Sequence, residues 1–330
     1  MRISEAGGEQ AVIDWFKTNC AVGNSHLPVG IGDDCALLPV SGPVLVTTDI
    51  LIENTHFRTD INHYYDIGWK SVAVNLSDIA AMGGVPTYTF LSIGIPDMDA
   101  DDAYEMFTGI LDCAQKHGSV IAGGDTVFSS SGITISVTQL GNVGQSGCIK
   151  RSGARAGDII FVTGTLGDSI AGLKLLLRDG LYKAESGYPN LVHRHLHPEP
   201  RLSASMSISQ CGIVSAMMDL SDGLCKDLRR MCEASGVGAV IESAKLPVSD
   251  ELHKAATNLE ATAEGLAAAG GEDYELLFTC PEDSVDDLLD SIVYAGCELT
   301  AIGRITDYSD VVLLDKEFKP IAWPDVWEHF

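Results

Sequence analysis

The stretch Gly30-Ile31-Gly32-Asp33-Asp34, running into Cys35-Ala36-Leu37-Leu38, constrains this chain more than any other. Two glycines permit a backbone turn that side chains resist. Two adjacent carboxylates repel unless a cation or hydrogen-bond donors lie between them. An apolar tail then leads into a core. The pattern returns along the chain. Asp49 ends the run Val44-Leu45-Val46-Thr47-Thr48, and Asp78 lies in Val74-Asn75-Leu76-Ser77-Asp78. Asp125 follows Gly123-Gly124, while Asp219 and Asp222 frame Leu220-Ser221. Any one of these is an ordinary turn residue. Four of the six (Asp34, Asp49, Asp78, Asp125, Asp219, Asp222) sit beside glycine or at a strand-to-turn junction with apolar flanks. As a set they read as carboxylates gathered from distant segments onto hard cations. Magnesium takes one or two carboxylates per ion, completed by phosphate oxygens and water.

At 330 residues the chain is long enough for two domains, and its 45% hydrophobic and 20% charged residues are those of a globular protein. The formal net charge of -25 argues against nucleic acid or an anionic membrane as partner. It suits cations, or a nucleotide carried with magnesium; an acidic surface kept for solubility, or in a salt-adapted host, gives the same balance. Nine cysteines without a Cys-x-x-Cys pair read as small hydrophobes in a reducing cytosol, with Cys113, Cys148, Cys211 and Cys280 among apolar neighbours. Met1–Glu5 has no apolar signal segment, and no apolar run reaches the length of a membrane helix. A soluble, cytoplasmic protein is expected.

The periodicity predicts a helix over 9–18, a strand over 44–48 that delivers Asp49 at its end, and a helix over 66–82 closed by Gly83-Gly84. On that helix Ser71, Asn75 and Asp78 form a polar stripe beside the apolar face of Val72, Leu76, Ile79 and Met82. A strand is expected over 87–95, a short one over 119–122 ending at the Gly-Gly-Asp turn, and another over 133–143. Asp97–Asp102 resembles a calcium loop but has Asp102 at the sixth position and Thr108 at the twelfth, so it reads as an acidic first turn of a helix. The glycine-rich, basic stretch 141–157 marks the domain boundary near 148, giving domains 1–148 and 149–330. Beyond it come a strand over 158–162 and a helix over 169–178. The glycine turn between them either holds phosphate or is an ordinary β-to-α connection. Then follow a polar stretch over 182–200 with His193, His195 and His197 but no zinc pattern, and strands over 213–218 and 275–280.

No Walker A loop, dinucleotide fingerprint, protein-kinase His-Arg-Asp set or Gly-x-Ser-x-Gly elbow occurs. A nucleotide enzyme built this way holds phosphates through metal ions, backbone amides and a few arginines. Seven motifs, in order, cover nearly the whole chain. They are Gly30-Ile31-Gly32-Asp33-Asp34-Cys35-Ala36, Thr47-Thr48-Asp49, Asn75–Gly83, Gly123-Gly124-Asp125-Thr126, Arg151-Ser152-Gly153-Ala154, Asp219-Leu220-Ser221-Asp222-Gly223-Leu224 and Gly271-Glu272-Asp273-Tyr274-Glu275-Leu276. By these the sequence resembles the thiamine-monophosphate kinase family, within the superfamily of aminoimidazole ribonucleotide synthetase.

The resemblance implies ATP-dependent phosphorylation of thiamine monophosphate to thiamine diphosphate, with several Mg2+ ions. It implies a mixed α/β fold of two domains. The N-terminal sheet-plus-helices domain would form a dimeric β-barrel with a second copy, and the C-terminal α/β domain would carry a mixed sheet covered by helices. Asp34, Thr47, Thr48, Asp49, Asp78, Asp125, Asp219 and Asp222 match the family's metal ligands; Gly124, Asp125, Arg151 and Ser221 match its ATP contacts. His56, Glu272 and Trp327 match its substrate contacts, though His56 alone also reads as structural and Trp327 as a terminal plug. Asp34, Asp222 and Arg151 are the catalytic candidates. Another ATP-dependent enzyme of the superfamily, or a non-catalytic acidic cation scaffold, are the alternatives. A selenophosphate activity fits less, because Cys20 lacks a glycine-rich setting.

Overall fold

The computed structural model describes residues 1–20, 27–28, 30–31, 35–291 and 298–324. The chain divides into two compact units: Met1–Ile79 with Val85–Val143, and Ala80–Gly84 with Gly144–Phe330.

The first unit runs α1 (Ile3–Ala6), α2 (Glu9–Cys20), β1 (Val44–Ile52), α3 (Tyr64–Ala81), β2 (Val85–Ile95), α4 (Ala100–Lys116), β3 (Val120–Phe128) and β4 (Thr134–Asn142). Its sheet has the order β1-β4-β2-β3, with β2 and β3 parallel and the other pairs antiparallel. A parallel pair needs a crossover, and α4 supplies it. Leu51, Leu91, Ile93, Ile135 and Val137 are buried on one face. Helices α3 and α4 cross where neither has a side chain: a Cβ on Gly68 would stand 1.9 Å from the Met106 carbonyl oxygen, and one on Gly109 2.0 Å from that of Tyr65. The opposite face of β1 leaves Val46, Ile50 and Ile52 exposed.

Two strands differ from expectation. β1 continues past Asp49 to Ile52, because Ile50-Leu51-Ile52 prolongs the β-branched alternation; Asp49 therefore lies mid-strand, opposite Val137. β3 likewise runs through Gly123-Gly124-Asp125 to Phe128, its pairing to β2 tolerating the glycines with a register shift at Thr89/Phe90. Helix α3 is buried nearly all round, so Ser71 and Asn75 are core residues rather than an open polar stripe.

The second unit begins with β5 (Ile159–Thr163), α5 (Asp168–Asp179), α6 (Leu181–Gly187), α7 (Pro189–Leu196) and α8 (Leu202–Cys211). Next come β6 (Ala216–Asp219), α9 (Leu224–Ser235), β7 (Gly238–Glu242), α10 (Asp250–Asn258) and α11 (Ala263–Ala269). It ends with β8 (Leu276–Cys280), α12 (Val285–Ser291), β9 (Leu299–Thr306), β10 (Val311–Leu314) and β11 (Pro320–Ile321). The sheet order is β11-β10-β7-β9-β5-β8-β6, with only β7 and β10 parallel. Alternation along the strands feeds two cores. Ile160, Val162, Met218 and Leu277 join Leu224, Leu228 and Met231 of α9 on one face. Phe161, Met217 and Phe278 join Ala204 and Ile208 of α8 on the other, with Phe161 and Phe278 stacked at 5.4 Å.

The polar stretch over 182–200 is helical, with Pro189 in the first turn of α7 and Leu191, Val192, His195 and Leu196 turned inward. Cys113 and Cys280 are buried as expected, but Cys148 is exposed and Cys211 half-buried. Both units are thus mixed α/β with mixed sheets, and among the described residues neither sheet closes into a barrel.

Candidate active site

In the first unit, residues two apart on a strand share a face, so Thr47 and Asp49 look the same way from β1. The Thr47 hydroxyl donates to the Asp78 carboxylate from α3. Burial first, then the charge of Asp78, pushes the Asp49 carboxyl up to about 6. Two carboxylates and a hydroxyl thus face one another with repulsion left over, a set of hard oxygen donors that a cation would relieve. Thr48 points to the other face, donating to the Val137 carbonyl at 3.0 Å and accepting from Thr138 at 3.1 Å. Asp125 lies on β3 at the opposite edge of the sheet from β1. Three strand spacings separate those edges, about 14 Å. Asp125 instead borders a pocket with Gly123, Gly124, Thr126, Phe16 and Ile31. Gly124 admits no side chain, since a Cβ there would meet the Leu91 carbonyl oxygen at 2.1 Å. His56 follows β1 in a turn with Asn54 at φ 64°, and its Nδ1 accepts from the Ile52 amide at 3.1 Å. In the neutral ring the proton is then on Nε2. Asp34 lies outside the described residues.

In the second unit, Asp219 ends β6 as a buried residue opposite Leu276. Asp222, at the start of the following turn, pairs with Arg230 at 2.5 Å. Arg230 also reaches Asp227 at 2.9 Å, and Asp227 accepts the amides of Asp222 and Gly223 at 2.9 and 3.0 Å. Burial, with the charge of Asp222, raises the Asp227 carboxyl to about 6. Gly223 takes φ 99° and would bring a Cβ within 2.5 Å of the Gly270 carbonyl oxygen. Ser221 gives its carbonyl to the Glu272 amide at 2.8 Å, so the Asp-Leu-Ser-Asp turn and the Gly-Gly-Glu-Asp turn are zipped together. Arg151 is exposed on a turn whose Gly153 and Ala154 amides are held by Ser235. Trp327 lies outside the described residues.

Several residues around these turns were given no role from sequence. Asp227 falls among Leu224, Leu228 and Met231 on the buried face of α9, and an aspartate inside an apolar stripe is the signal that could have marked it. Glu275 stands at 0% exposure, held by Arg194, by Arg201 Nε at 2.6 Å and by the Thr163 hydroxyl at 2.6 Å. Asp273 accepts the Gly167 amide at 2.8 Å at the start of α5, and burial pushes its carboxyl up to about 8. Among the described residues, no group of three or more His, Cys, Asp or Glu side chains converges closely enough to cage a metal alone.

Against known proteins, the model of the AIR synthase related protein N-terminal domain matches residues 32–143, and that of the C-terminal domain residues 155–316. Thiamine-monophosphate kinase of Escherichia coli O157:H7 is 35% identical over 330 residues, covering 98% of this chain and 99% of that protein. The chain belongs to the thiamine-monophosphate kinase family. Among solved thiamine-monophosphate kinases, that of Stenotrophomonas maltophilia K279a superposes with a TM-score of 0.82 at 34% identity, over 92% of this chain and 95% of its own. AaThiL complexed with AMPPCP and TMP superposes with a TM-score of 0.77 at 34% identity, over 100% of this chain and 99% of its own.

Proposed function

We propose that this chain transfers the γ-phosphoryl group of ATP to thiamine monophosphate, giving thiamine diphosphate and ADP. The observation that carries the reading is end-to-end likeness to the thiamine-monophosphate kinases, including AaThiL complexed with AMPPCP and TMP. The local chemistry agrees. A phosphate monoester is largely dianionic near neutral pH, its second pKa being about 6, so its oxygen needs no general base. Positioning and charge neutralisation are then what the protein must supply.

The like-charged pair Asp49 and Asp78 with the Thr47 hydroxyl has the donor chemistry of a Mg2+ site. Asp34, Asp125, Asp219 and Asp222 are the other residues assigned to hold Mg2+, together with Thr48. Bound Mg2+ would neutralise the β- and γ-phosphate oxygens. Gly124 and Asp125 border a pocket assigned to ATP, and Ser221 is likewise assigned to contact ATP. Arg151, exposed on its turn, is assigned to the triphosphate as a fixed charge. His56, Glu272 and Trp327 are assigned to thiamine monophosphate, the carboxylate balancing the thiazolium and the indole stacking on it.

We assign a homodimer as well. β1 exposes Val46 (64%), Ile50 (48%) and Ile52 (38%) on one face, and a second copy laid there would cover them and close the barrel. Light scattering should give twice the chain mass, and Val46→Glu with Ile50→Glu the single mass. The eight described cysteines are all free thiols, which suits the reducing cytoplasm. The decisive assay incubates the purified chain with Mg2+, ATP and thiamine monophosphate and separates the products. Thiamine diphosphate with equimolar ADP is expected. ADP with inorganic phosphate would point to another acceptor, and intact ATP to a non-catalytic scaffold.

A further inference from the structure

We propose that His195 is a positioning residue for the acceptor, acting through Glu272; the inference rests on the reading above, in which Glu272 faces the thiamine cation. Glu272 and Tyr274 take φ 63° and 51°, a region that side chains avoid. Such turns persist only where their surroundings over-determine them. Here the Glu272 and Tyr274 amides donate to the Ser221 and Leu220 carbonyls at 2.8 and 2.9 Å. Asp273 is fixed by the Gly167 and Ser169 amides at 2.8 and 3.4 Å, and Glu275 by its arginines and Thr163.

Within this acidic turn, Asp273 and Glu275 are spent on the interior while the Glu272 side chain stays 30% exposed. Behind it stands His195 of α7, 4% exposed, with Nδ1 3.3 Å from Glu272 Oε2 and 3.0 Å from the Ser169 hydroxyl. The hydroxyl can donate or accept and the carboxylate only accepts, so a proton on Nδ1 is the arrangement that serves both neighbours. The imidazole, locked in the wall between α5 and α7, thereby removes rotamer freedom that a glutamate would otherwise lose on meeting its ligand. A backbone held from both sides and a side chain braced from behind present one carboxylate outward in one orientation.

The test is steady-state kinetics on the full chain with Mg2+, varying ATP and thiamine monophosphate separately. His195→Ala should raise the KM for thiamine monophosphate about tenfold, the size of one hydrogen bond to a charged group, with kcat and the KM for ATP within about twofold. His195→Asn, whose amide nitrogen lies near the place of Nδ1, should recover most of the loss. In a Glu272→Gln background, His195→Ala should add less than about twofold, because the two act as one unit. If His195→Ala does not fold, Ser169→Ala carries the test, with a smaller rise confined to the same KM. An unchanged acceptor KM, or an equal further loss in the Glu272→Gln background, overturns the proposal. Absence of thiamine diphosphate with the unaltered chain overturns instead the functional reading beneath it.

Discussion

Asp49 within β1 and Glu275 just before β8 are both carboxylates turned inward, yet their neighbours differ. Glu275 is fully buried and answered by Arg194, Arg201 and the Thr163 hydroxyl. Asp49 faces Asp78, and the like charge helps to hold its carboxyl near 6. Glu275 is thus answered within the scaffold, whereas Asp49 and Asp78 keep a like-charge repulsion, the mark of a candidate functional site. Asp273 and Asp222 differ in exposure instead: Asp273 is buried and held by backbone amides, whereas Asp222 is half-buried and pairs with Arg230.

The contrast breaks most sharply by charge removal. Asp49→Asn, Asp78→Asn or Asp222→Asn should each lower kcat by about a thousandfold or more, since neutralising transferred phosphate is the main task of the site. Asp49→Asn should also leave the melting temperature unchanged or raise it, because a repulsion is relieved. Near-normal turnover in these variants would sink the cation assignment. Glu275→Ala should do the opposite, unfolding the chain at lower urea by about 3–5 kcal/mol, because two arginines lose their buried partner. A third test is pH. Burial raises the Asp273 carboxyl from 3.8 to about 8, so the folded chain holds this proton more tightly than the unfolded one. Its contribution to stability is full below the unfolded value and is lost as pH rises through about 8. Melting temperatures of Asp273→Asn and the unaltered chain should therefore converge or cross in the mutant's favour between pH 4 and 8; parallel curves would contradict this. The smallest effect is expected from Thr47→Val, which removes the hydroxyl bonded to Asp78 at a cost of about 1 kcal/mol, read by urea denaturation.

The glycine-aspartate motifs could be read from sequence because each joins a backbone requirement to a charge, as at Gly124 and Gly223, where any side chain would strike a carbonyl. Apolar runs marked β1 through β6 and β8, while the short strands β7, β10 and β11 carried too little pattern to be predicted. What escaped was set by tertiary pairing. Asp49 and the Gly123–Asp125 motif look like strand ends locally, but β4 and β2 carry the pairing through them. Thr48 neighbours Asp49 in sequence and turns to the other face by the pleat. His195 gave no signal as one of three alternate histidines; only the packing of α7 against α5 sets it apart, beside Ser169 and Glu272.

ATP labelled in its γ-phosphate is mixed with the chain, Mg2+ and thiamine monophosphate, quenched within a single turnover, and the label is located. The label should appear in the terminal phosphate of thiamine diphosphate, one for each ADP, with none on the protein. Label recovered as inorganic phosphate, or bound covalently to the chain, would contradict this.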